Sequence, residues 1–90
     1  MESYSLNEIN NINKFELAKI IKNSPHLFSK IYKKINIKKI VDSFLLVNTS
    51  EIKDIIPIIS EYIFYEIIRY FHPNTQIKYM KLCNSFPLSL

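Results

Sequence analysis

The stretch TSEIKDIIPIISEYIFYEIIRYF, residues 49–71, decides the fold class. Ile52, Ile55, Ile56, Ile59, Ile63, Ile67, Ile68 and Phe71 recur at helical spacing, the pattern of an α-helix buried along one stripe. Ser50 stands just before the run and reads as its N-cap, with Glu51 behind it. Pro57 falls in the second turn and predicts a kink, because proline has no N–H to donate and its ring crowds the preceding turn. Polar residues are too few to cover the opposite side. On a continuous helix Phe64, Tyr65 and Tyr70 project away from the isoleucine stripe. A helix that is apolar nearly all round is central in its domain or covered by a partner. His72-Pro73-Asn74 ends the run.

Shorter helices flank it. The chain has no glycine, so asparagine is the residue left to punctuate helix ends. Asn13, Asn23, Asn36, Asn48, Asn74 and Asn84 are read as boundaries. Between Asn13 and Asn23, Phe15, Leu17, Ala18, Ile20 and Ile21 alternate helically with charged residues. Ser24-Pro25 starts a second helix, to about Ile35, that buries Leu27, Phe28, Ile31 and Ile35. A third covers Ile37 to Leu46, with a strand over Phe44 to Val47 as the alternative for its β-branched end. Thr75 caps a last short helix over Gln76 to Leu82. Residues 7–13 read as an asparagine-rich tract. The expected fold is all-α: a compact bundle of about four to six short helices around one central apolar helix at about residues 50–71, in a single domain over 1–90.

Composition excludes more than it identifies. Without glycine there is no Walker loop, dinucleotide fingerprint or nucleophile elbow, since each brings backbone close to a ligand at a glycine. One cysteine, Cys83, excludes an internal disulfide framework and a multi-cysteine zinc site. The apolar stretch from Ile55 to Phe71 is interrupted by Pro57, Glu61, Glu66 and Arg69, so no transmembrane segment is expected. Residues 1–13 lack a basic region followed by an apolar one, and the expected location is intracellular, cytoplasm or nucleus. The 17 Ile, 11 Lys and 9 Asn against one Arg and one Ala follow A/T-rich codons and point to a low-GC genome.

Catalytic chemistry finds little to work with. His26, His72 and Cys83 show no spacing that builds a nucleophile, base and orienting group. His72 is read as a cation at a helix C-terminus and Cys83 as a small buried hydrophobe. Glu51 and Asp54 suit the positive end of a helix. Glu61 and Glu66 fall on different faces. No enzyme activity, metal, cofactor or small-molecule substrate is expected.

Two binding surfaces remain. Eight lysines face one acid, Glu16, between residues 14 and 39. Within them Lys30, Lys33, Lys34, Lys38 and Lys39, with Tyr32 placed to stack on a base, are candidates for binding nucleic-acid phosphates. The aromatic surplus on the long helix and the apolar tail supply the preferred reading, a non-catalytic protein-interaction protein: a subunit, adaptor or inhibitor in a homo-oligomer or heteromer. Its expected contact residues are Tyr62, Phe64, Tyr65, Tyr70, Phe86 and Leu88.

Overall fold

A computed structural model describes residues 5–83. Over these residues the chain is all-helical, with no strand, so the alternative strand at Phe44 to Val47 is not formed. The helices are α1 (Leu6–Asn11), α2 (Lys14–Asn23), α3 (Pro25–Ile31), a 3-10 turn (Tyr32–Lys34), α4 (Ile37–Phe44), α5 (Thr49–Ile59), α6 (Glu61–Ile68) and α7 (Pro73–Met80). Helix α2 packs against α3, α4 and α5; α3 lies on α5; α4 meets α6; and α6 meets α7.

Local chemistry sets most boundaries. Helix α1, unexpected from the sequence reading, starts at a reciprocal cap. The Glu8 N–H donates to Ser5 Oγ at 3.2 Å, and the Ser5 N–H donates to Glu8 Oε1 at 2.9 Å. Asn13 and Asn36 begin helices through their side chains: Asn13 Oδ1 accepts from the Glu16 N–H and Asn36 Oδ1 from the Lys38 N–H, both at 2.8 Å. Pro25 occupies the first turn of α3, where its missing N–H costs nothing. The helix expected to run from Pro25 to about Ile35 is α only to Ile31 and tightens to 3-10 geometry from Tyr32.

The continuous helix expected at about 50–71 is two helices. It begins at Thr49 after Asn48, so Ser50 lies inside the first turn rather than at the cap. It passes through Pro57 and stops at Ile59. Ser60 then takes φ 88° and ψ 149°, backbone space that is nearly glycine-only. Its N–H still closes the last turn onto the Ile56 carbonyl at 2.7 Å, while its hydroxyl accepts from the Ile63 N–H at 3.3 Å and starts α6. Pro57 has already removed one bond from this last turn. The break resets the helical phase, so the face of α6 that turns inward is not the continuation of the α5 stripe. Phe64, Ile67 and Ile68 are buried, and Ile63 is only half-buried.

The final helix also starts earlier than expected. His72 Nδ1 accepts from the Asn74 N–H at 3.3 Å, making His72, not Thr75, the cap of α7. Gln76 Nε2 donates to the Ile68 carbonyl at 3.2 Å and satisfies an open end of α6. Tyr79 reaches back 35 residues, its hydroxyl donating to the Phe44 carbonyl at 3.4 Å.

The core is organised about an aromatic chain. Phe44 lies 5.9 Å from Phe28, 6.1 Å from Phe64 and 6.2 Å from Phe71, centroid to centroid. Tyr79 closes the group at 5.0 Å from Phe71 and 6.3 Å from Phe64. Such offset and edge contacts add to the burial of each ring. The isoleucines of α2, α4, α5 and α6 fill the space around them. Ser43, the one fully buried polar side chain among the described residues, donates to the Ile40 carbonyl at 2.7 Å and so leaves no open polar group.

Candidate functional site

Along α6 and its C-cap runs a ridge of mixed chemistry in which Tyr62 and Arg69 are exposed, Glu66 is half-buried and Tyr65 packs partly against the core. Tyr62, Tyr65, Glu66 and Arg69 follow the spacing of residues stacked on one helix face. They line one shallow groove of about 330 Å³. Glu66, Arg69 and Tyr70 also line a second groove, of about 200 Å³, whose other wall is Tyr32, Lys33, Ile35 and Ile37. Glu66 and Arg69 therefore belong to both. Tyr62 is 71% exposed and Tyr70 60%. Arg69, the only arginine in the chain, is exposed between them.

Glu66 is held in this ridge by Tyr32, whose hydroxyl donates to Glu66 Oε1 at 2.8 Å. Burial of the Tyr32 ring, with this bond and the negative charge behind it, pushes the tyrosine pKa up to about 12. Tyr79 moves in the same direction through burial alone.

Of the expected contact residues, Tyr62 and Tyr65 line one of these grooves and Tyr70 the other. Phe64 lines neither. It is fully buried among Phe44, Tyr79 and the aliphatic core, because the break at Ser60 rotates α6 and carries Phe64 inward. Phe86 and Leu88 lie outside the described residues. Arg69 and the Tyr32–Glu66 bond were missed; the spacing of residues 62, 65, 66 and 69 is the sequence signal that groups the arginine with the tyrosines.

The lysine set is spread over three elements. Lys30 closes α3, Lys33 and Lys34 sit on the 3-10 turn, and Lys38 and Lys39 stand in the first turn of α4. Lys30, Lys33, Lys34 and Lys38 are exposed, and Lys39 is half-buried. Tyr32 is not a stacking platform beside them. Only 9% of it is exposed, its ring lies 6.0 Å from Phe28, and its hydroxyl is committed to Glu66. Tyr32 stands four residues after Phe28 and three before Ile35, so it shares their buried face, opposite Lys30, Lys33 and Lys34.

The remaining titratable candidates stay apart. His26 is exposed on α3, and His72 uses Nδ1 as a helix cap. Cys83 is buried, and burial pushes its thiol pKa up, against the opposing effect of a hydrogen bond from Tyr65. Among the described residues no three His, Cys, Asp or Glu side chains are grouped to hold a metal ion, and no helix is long and apolar enough to cross a membrane. No protein-family model, curated protein or solved structure matches the chain.

Proposed function

We propose that this chain is a small non-catalytic interaction protein whose partner seats on the outer face of α6. The observation that carries the reading is the exposure of Tyr62 and Tyr70 around Arg69. Tyrosine and arginine are the residues most enriched where binding energy concentrates, because each offers a large rigid surface with a polar tip. The ring stems contribute apolar area, and the guanidinium offers a planar fork for a carboxylate. Lys33 adds a second cation across the adjoining groove. The whole chain carries a net charge of +4, which sets a second copy against itself. The partner is therefore read as a different protein presenting carboxylates, and the assembly as a heteromer in which this chain is a subunit, adaptor or inhibitor.

A photo-crosslinking amino acid at Tyr62 or Tyr70, and separately at exposed Lys53 or Lys81, tests this in cells that express the chain natively. A discrete adduct from Tyr62 or Tyr70 alone, lost on Arg69→Glu, is the expected result. Equal adducts from all four positions, or an adduct made of two copies of the chain, would overturn it.

A further inference from the structure

We propose that the groove between the starts of α2 and α4 binds the phosphodiester backbone of a single-stranded nucleic acid. The groove shares no residue with the two grooves of the α6 face. It is open, about 660 Å³, with Lys14 and Asn13 on one wall, Lys38, Lys39 and Asn36 on the other, and Asp42 as the only carboxylate among its lining residues.

The placement of the lysines is electrostatically adverse for the protein alone. Lys14 is the first residue of α2, and Lys38 and Lys39 stand in the first turn of α4. Helix N-termini carry partial positive charge and favour acids, yet the first turn of α4 contains none. Glu16 meets the start of α2, but Lys38 and Lys39 stand at the start of α4 without an acid in that turn, and Asp42 follows one turn later. An anion lying between the walls relieves this repulsion. Phosphates spaced along a strand suit an open groove with lysines on both walls.

The neighbouring aromatic ring selects a single strand. Phe15 follows Lys14 directly and is 62% exposed. The Lys14 ammonium lies 5.5 Å from the centre of its ring. Phe15 lines an adjoining groove that shares Asn13 with this one, and a cationic track with an exposed ring beside it is the arrangement on which unpaired bases stack. A duplex keeps its base faces inside the helix and leaves that ring unused.

Fluorescence anisotropy with a labelled oligo(dT) of about 15 nucleotides, and with the same strand in a duplex, tests the proposal. The parent should bind the single strand at about 50 mM salt and lose more than about tenfold in affinity by about 200 mM. Combined Lys14→Gln, Lys38→Gln and Lys39→Gln should lower the slope of log affinity against log salt by about two. Combined Lys53→Gln, Lys78→Gln and Lys81→Gln, on α5 and around α7, should leave it unchanged. Phe15→Ala should weaken single-strand binding about tenfold with the slope intact. Asp42→Asn should tighten it. Circular dichroism checks the fold of each variant; if the first triple unfolds, Phe15→Ala and Asp42→Asn decide. No binding by the parent at low salt, equal loss in the two triples, no effect of Phe15→Ala and Asp42→Asn, or a duplex bound as tightly as the single strand would each overturn the proposal.

Discussion

The Tyr32 hydroxyl donates a 2.8 Å hydrogen bond to Glu66 Oε1, tying the 3-10 turn of residues 32–34 to α6 across 34 positions of sequence. The bond joins the lysine-bearing segment to the tyrosine ridge. It also withdraws from solvent the one aromatic residue between Lys30 and Lys39. Its acceptor is a carboxylate, so it belongs to the stronger class of side-chain hydrogen bonds.

Alkaline unfolding should report this bond. Folding raises the Tyr32 pKa from 10.0 to about 12, so the unfolded chain loses that proton first as pH rises. The stabilisation is complete below pH 10.0 and is lost progressively as pH climbs toward about 12. Urea denaturation across this range should show falling stability. Tyr32→Phe should lower stability at neutral pH by about 1–2 kcal/mol and flatten the alkaline decline. The decline should not vanish, because burial moves Tyr79 the same way. An unchanged alkaline profile in Tyr32→Phe would place the titrating group elsewhere.

Ser60 separates two opposing local effects. Its φ of 88° with ψ of 149° costs a non-glycine residue about 1–3 kcal/mol, while its hydroxyl caps α6. Ser60→Gly removes the strain and gives up only a few tenths of a kcal/mol of capping, so it should stabilise by about 1 kcal/mol. Ser60→Ala keeps the strain and loses the cap, at a cost of about 1 kcal/mol. Thermal melts should rank the chains glycine, serine, alanine from most to least stable. Alanine at or above serine would mean that the two helices had fused.

The same position marks the limit of what periodicity reveals. The all-helical class, the burial of Ile52, Ile55, Ile56, Ile59, Ile67 and Ile68, and the boundary roles of Asn13 and Asn36 were legible because spacing and capping act locally. The Ser5–Glu8 capping box was legible too, in the order Ser-x-x-Glu, but the asparagines around it masked it. The direction of Phe64 was not legible. It depends on a backbone angle at Ser60 that no residue type there announces, and one reset of phase moves every later side chain. The burial of Tyr32 was legible, since it follows Phe28 by four residues on the face that also carries Ile31 and Ile35; its bond to Glu66, 34 residues away, was not.

The caps can be ranked by mutation. Asn13→Ala and Asn36→Ala each remove a side-chain acceptor from a helix N–H and should cost about 1 kcal/mol. Ser50→Ala replaces an exposed residue within the first turn of α5 and should shift stability by less than about 0.5 kcal/mol. Chemical denaturation midpoints read all three. A Ser50→Ala loss as large as that of Asn13→Ala would move the start of α5 to residue 51.

Phe64 and Tyr62 lie two residues apart on α6 and have opposite roles. Phe64 is fully buried, with rings 6.1 Å and 6.3 Å away. Truncation to alanine leaves a cavity where Phe44 and Tyr79 meet it, and the expected loss is about 3–5 kcal/mol. That loss is comparable to the whole stability of a small fold, so Phe64→Ala should be largely unfolded by circular dichroism. Tyr62 is 71% exposed, and its removal should change stability by less than about 0.5 kcal/mol. The effect of Tyr62→Ala should appear instead in the yield of the crosslinked adduct formed from Tyr70. Comparable stability losses in the two variants would show that the ridge is packed against this chain's own residues, leaving no free face for a partner to occupy.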